Sequence, residues 1–322
     1  MMRDVIFVAA ASSALRAVLA APARPAECLG VTRGALYLKI ARPPGALVVL
    51  SHDAVRLPCG LALPTTSAEL PLTALAGPNF MILESYACGS MHNSQGSWSM
   101  LVGDGAVSWT GPAGPVVVRA VREWAPTRPP QGQVTAGALA AVRASLSGAD
   151  PGVRGSLLAG LGAAASDHDA ATTAATSLLG VGPGLTPSGD DVLAGFLTGA
   201  AAFGLDATAL REATEVLAPA RTTALSAALL WHAARGECID ELAGLAAELT
   251  DQRPRGPELA RHAVSRLLSV GHSSGAALTL GLVTAAESAL RAPAVLADCA
   301  VAASALSPRP FARGDQRAAW LT

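Results

Sequence analysis

Apolar positions along this chain change their period near residue 127. Before it they fall in short runs, at 35–40, 46–51, 80–86, 98–102 and 116–124, broken by Pro43-Pro44-Gly45, Gly103-Asp104-Gly105 and the glycine- and proline-bearing stretch 111–115. Short runs rich in β-branched and aromatic residues, bounded by Gly and Pro, predict strands, and the brief connections predict a mostly antiparallel arrangement. Arg128-Pro129-Pro130-Gln131-Gly132 reads as a linker. After it the apolar spacing becomes helical. Helices are expected over 134–147, 152–163, 168–179, 188–203, 207–217, 221–235, 239–249, 256–269, 274–290 and 292–305. The pattern predicts an α+β chain: a β-rich N-terminal domain over 1–127, then a larger Ala-rich helical domain over 128–322. The first 22 residues imitate a secretory leader, but Asp4 and Arg16 interrupt the imitation, and an amphipathic first helix is expected there.

Composition narrows the chemistry. Of 322 residues, 51% are hydrophobic, so burial is not limiting, and a net charge of −1 argues against nucleic acid as the partner. No stretch reaches the ~20 apolar residues of a membrane span. The five cysteines, Cys28, Cys59, Cys88, Cys238 and Cys299, are odd in number and lack ligand spacing. They read as reduced thiols of a cytoplasmic protein. The only lysine is Lys39, within an expected strand. That excludes a phosphate-loop lysine and disfavours a Schiff base.

Candidate chemistry concentrates in three loops of the helical part. Gly180-Val181-Gly182-Pro183-Gly184-Leu185-Thr186-Pro187-Ser188-Gly189-Asp190-Asp191 joins two expected helices. Thr186-Pro187 suits a helix start, and Ser188 with Asp191 has capping-box spacing. The free N–H groups of such a start suit an anion. Gly182, Gly184, Thr186, Ser188 and Gly189 are therefore candidate substrate contacts, and Asp190 and Asp191 candidates for proton transfer or for holding Mg²⁺. Arg221-Thr222-Thr223, with Ser226 a turn later, offers a guanidinium fork and hydroxyl donors. Gly271-His272-Ser273-Ser274-Gly275 opens another apolar helix. Ser273, Ser274 and Gly275 could bind an anion, with His272 as proton donor. Gly236-Glu237 reads as a helix C-terminus. His92, Asn93, Ser94 and Gln95 are expected to form a polar loop after Gly89, placed to face the helical part. Helices converging by their N-termini would make one pocket of positive potential.

Gly-Pro-Gly-Leu-Thr-Pro-Ser-Gly-Asp-Asp at 182–191, Arg-Thr-Thr with Ser226, and Gly-His-Ser-Ser-Gly at 271–275 resemble the AllH-like family across roughly 125–285. The resemblance implies a subunit of oxamate carbamoyltransferase in allantoin catabolism, a branch of purine degradation. That enzyme takes carbamoyl phosphate and oxamate to oxalurate and phosphate, and the resemblance implies an FdrA-like partner subunit. Two rival readings stand beside it. One is a non-catalytic scaffold or regulatory subunit binding a metabolite or nucleotide; the other is an Mg²⁺-dependent phosphohydrolase or kinase.

Overall fold

Eight strands close into a barrel in the order β1-β5-β4-β3-β2-β6-β7-β8. The computed structural model describes residues 5–76, 100–111, 114–146, 148–158, 160–165, 167–250 and 257–291. Within these, β1 is Val5–Ser12, β2 Arg24–Val31, β3 Ala35–Lys39, β4 Ala46–Leu50, β5 Gly60–Ala62, β6 Met100–Gly103, β7 Ala106–Gly111 and β8 Gly114–Trp124. Two pairings are parallel, β1 with β8 and β4 with β5; the others are antiparallel. β4 shows how sequence sets position. All five of its residues are buried. Leu47 and Val49 fill the barrel, while Ala46, Val48 and Leu50 pack outward on Leu225 and Ala228 of a helix. A strand covered on both faces has no polar alternation to show.

The helix expected across residues 1–22 is corrected. Residues 5–12 form β1, because Val5 through Ala9 find partners in Val116 through Ala120 along β8. Only Arg16–Leu19 turns into helix, here α1. β2, β5 and β7 were not foreseen. Pro25 disguises β2, and it is paired opposite Leu101. The strand expected at 80–86, the loop at 92–95 and the helix at 292–305 lie outside the described residues.

The remaining helices are α2 Leu72–Ala76, α3 Ala136–Ser145, α4 His168–Leu178, α5 Ser188–Phe203, α6 Thr208–Arg221, α7 Ala224–Ala233, α8 Asp240–Thr250, α9 Pro257–Leu268 and α10 Ser274–Arg291. Among the described residues no helix is long and apolar enough to cross a membrane. Two expectations fail here. Residues 152–163 give only tight turns at Gly155–Leu158 and Ala163–Ala165, since Gly152, Gly155, Gly160 and Gly162 weaken any helix there. Arg221 does not begin a helix; it ends α6, which carries Pro219 within it.

α5 and α10 form the spine of the helical part. They lie parallel, starts side by side, and approach too closely for side chains. A Cβ on Gly195 would sit 2.1 Å from the Leu278 carbonyl oxygen, and one on Gly281 only 2.0 Å from that of Val192. Parallel neighbours place two positive helix ends together. Thr127, at the expected linker, bridges to Cys238, and its hydroxyl donates to Asp240.

Candidate active site

Three helix starts meet at the glycine loop. Thr186 and Ser274 pair hydroxyl to hydroxyl at 3.0 Å, and Ser188 and Ser273 at 3.2 Å, joining the starts of α5 and α10. Thr223 caps α7 by accepting the Ser226 N–H at 3.0 Å, and its own hydroxyl donates to the Leu185 carbonyl. The expected capping box is absent. The residue before α5 is Pro187, no side chain caps the helix, and Ser188 is used across to α10. Gly182 and Gly184 hold positive φ in the loop. Gly180, φ 76°, passes against α6, where a Cβ would lie 2.4 Å from the Arg221 carbonyl oxygen. Gly189 and Gly275 sit against the carbonyls of Leu178 and Leu267.

The two aspartates have separate circumstances. Asp190 is 1% exposed. Its Oδ1 accepts the Gly180 N–H at 2.9 Å, and its Oδ2 accepts the hydroxyls of Ser226, at 2.7 Å, and Thr222. It ties the loop to α7 and the end of α6. Asp191 is 6% exposed, and its Oδ2 has no hydrogen-bond partner. Burial raises both carboxyls above the usual carboxylate range, Asp191 well above it. At Asp190 the three donors oppose the rise. At Asp191 only the Ser274 hydroxyl opposes it, and the neighbouring Asp190 charge adds to it.

Asp191 opens on a cavity of about 280 Å³ between the barrel and the helices. Thr186, Gly271 and Ser274 surround that end. Further along, the lining is mostly branched alkyl side chains, with Thr198 and Glu237 also present. Thr198 is fully buried, and its hydroxyl oxygen is unpartnered. Glu237 accepts from Arg128 at 2.9 Å and pairs with Nδ1 of the buried His232 at 2.7 Å. Burial pushes the Glu237 carboxyl up, but the His232 hydrogen bond and the Arg128 guanidinium outweigh it and hold the group below its usual range.

Arg221 and His272 are both exposed, and neither lines the cavity. No arginine or lysine does, among the described residues. The set also fits Mg²⁺ poorly. Asp190 is spent on three donors, leaving a single free carboxyl, and no group of three or more His, Cys, Asp or Glu comes together among the described residues.

Thr198, Glu237 and His232 went unnoticed as site residues. Thr198 lies seven residues after Asp191, on the same helix face, and that spacing was its one signal. Glu237 looked like the tail of a C-cap, and Gly236 does end α7 with φ 70°.

No solved structure matches this fold. Residues 178–286 match the model of a family described as oxamate carbamoyltransferase subunit AllH. That span runs from the end of α4 through most of α10 and holds the glycine loop, both aspartates and Thr198. Over these residues the chain is similar to that family.

Proposed function

We propose that this chain is a subunit of an oxamate carbamoyltransferase-like enzyme, and that its cavity holds the carbamoyl acceptor beside Asp191. The donor is carbamoyl phosphate, and an FdrA-like partner subunit completes the enzyme. One observation carries the reading: a buried carboxyl with an unpartnered oxygen faces a cavity where three helices begin. An amide nitrogen is a weak nucleophile and needs a base. Burial makes Asp191 a stronger base than a solvated aspartate. The acceptor nitrogen attacks the carbamoyl carbon, the new C–N bond forms, the C–O bond to phosphate breaks, and the nitrogen's proton passes to Asp191. The positive dipole ends of the converging helices suit the oxyanion that develops.

Phosphate release needs positive charge, and no lysine or arginine lines this cavity among the described residues. That favours a donor site completed by the partner, and it favours a catalytic subunit over an independent phosphohydrolase or kinase. The test is turnover by the assembled enzyme, followed as product and phosphate. Asp191→Asn should slow it ~100-fold or more with the fold intact. Near-normal turnover in that variant would remove Asp191 from the chemistry.

A further inference from the structure

Two hydroxyl pairs join the starts of α5 and α10, and they differ in where they stand. Thr186 and Ser274 meet at 3.0 Å, and Ser188 and Ser273 at 3.2 Å. Thr186 and Ser274 line the cavity together with Asp191; Ser188 and Ser273 do not. The second pair is covered by the chain: Ser188 is 1% exposed, and a Cβ on Gly152 would lie 2.8 Å from its Oγ. The pair on the cavity has a further contact. Burial drives the Asp191 carboxyl up, and the Ser274 hydroxyl supplies the hydrogen bond that opposes the rise. A hydroxyl has one proton to give. Ser274 gives its own to the Asp191 carboxylate, so Thr186 must be the donor in the 3.0 Å pair. The two O–H groups then point in series at the carboxylate, and hydrogen bonds in series strengthen one another. Asp191 Oδ2 stays without a partner.

We infer that Thr186 and Ser274 are a positioning pair for the base: they hold Asp191 from one side and leave Oδ2 turned to the nitrogen of the acceptor. This rests on Asp191 being the base of the proposed function. Neither hydroxyl takes the acceptor's proton, which still passes to Asp191. Ser188 and Ser273 only fasten the helices. The pair sets the pH at which Asp191 becomes a base, because a hydrogen bond to the ionised form favours that form. The titratable groups around Asp191 include Asp190 on its own helix, Tyr37, Glu237 and Cys238 in the same lining, and Arg221 and His272 on neighbouring elements, both exposed. The variants below leave all of these in place.

Turnover of carbamoyl phosphate and oxamate by the assembled enzyme is followed from about pH 5 to 9. The chain is wild type or carries Ser274→Ala, Thr186→Val, Thr186→Ser, Ser273→Ala or Asp191→Asn. In the wild type kcat/KM should rise with pH as Asp191 ionises. Ser274→Ala should move that rise upward by roughly half a pH unit or more. Thr186→Val should move it the same way by less, and Thr186→Ser, which keeps the hydroxyl, should restore it. The two act from opposite sides of the pair, so one misfolded variant leaves the other, and circular dichroism checks each. Ser273→Ala breaks the other pair and should leave the rise where it is, whatever it does to the rate. If Asp191→Asn is slow but neither Ser274→Ala nor Thr186→Val moves the rise, or Ser273→Ala moves it equally, the inference fails while the proposed function stands. If Asp191→Asn turns over normally, the base is elsewhere and both fail.

Discussion

Asp190 accepts three hydrogen bonds through its two oxygens, while Asp191, the next residue, leaves one oxygen with none. Adjacent positions on a helix differ by about 100° in direction, so one carboxylate meets the loop and the other the cavity. The pair divides into a group bonded into the loop and a group that lines the cavity.

Substitution should expose that division. Asp190→Ala orphans the Gly180 N–H and two hydroxyls, and should destabilise the chain by ~3 kcal/mol or more. Asp191→Asn removes a buried, incompletely paired carboxyl, and should raise the melting temperature by a few degrees at pH values where that carboxyl is ionised. Calorimetric melts check both. A melting point lowered by Asp191→Asn would mean that its charge is compensated.

The pH dependence of stability should carry two opposite signatures. Asp191 titrates higher when folded, so its contribution is full below the usual carboxylate range and lost as pH rises through its folded value. Glu237 titrates lower when folded, so its contribution is present above the usual range and lost as pH falls through its folded value. Melts from about pH 3 to 8 should show Asp191→Asn flattening the loss on the alkaline side and Glu237→Gln flattening the loss on the acidic side.

The helix spine should tolerate no side chain at its contact. Gly195→Ala and Gly281→Ala each drive a Cβ to about 2 Å from a carbonyl oxygen of the other helix. Each should cost roughly 2–3 kcal/mol. Because both push the same pair apart, the double variant should cost less than the sum. Strict additivity in a double-mutant cycle would show that each strain relaxes locally.

Arg221→Ala should leave cavity binding unchanged, since the exposed side chain is absent from the lining. Its backbone carbonyl, not its guanidinium, meets the glycine loop. Loss of ligand binding in that variant would bring the arginine back as an anion clamp.

The helical arrangement was readable where it announces itself locally. Glycines and hydroxyl residues marked the three loops, and the helix expected at 188–203 matches α5. What could not be read depends on contacts distant in sequence. β1 is strand because β8 lies beside it. Which aspartate meets the loop depends on where Thr222 and Ser226 fall. A helix was expected to begin at Arg221, yet α6 runs through Pro219 and ends at that arginine. Thr198 sits in an apolar helix and becomes notable only once a cavity opens beside it.

Closure of the barrel has a consequence for assembly. β1 hydrogen-bonds β8 along its length on one side and β5 at Ala10 and Ala11 on the other, so the ring of described strands closes through a short seam. A closed ring presents no whole edge strand for a partner to extend. Apolar side chains on the outer wall are open to contact there: Ile6, Val8 and Val121 are 60%, 51% and 55% exposed. A surface read by its side chains can change what it recognises through point substitutions, with the barrel left as it is.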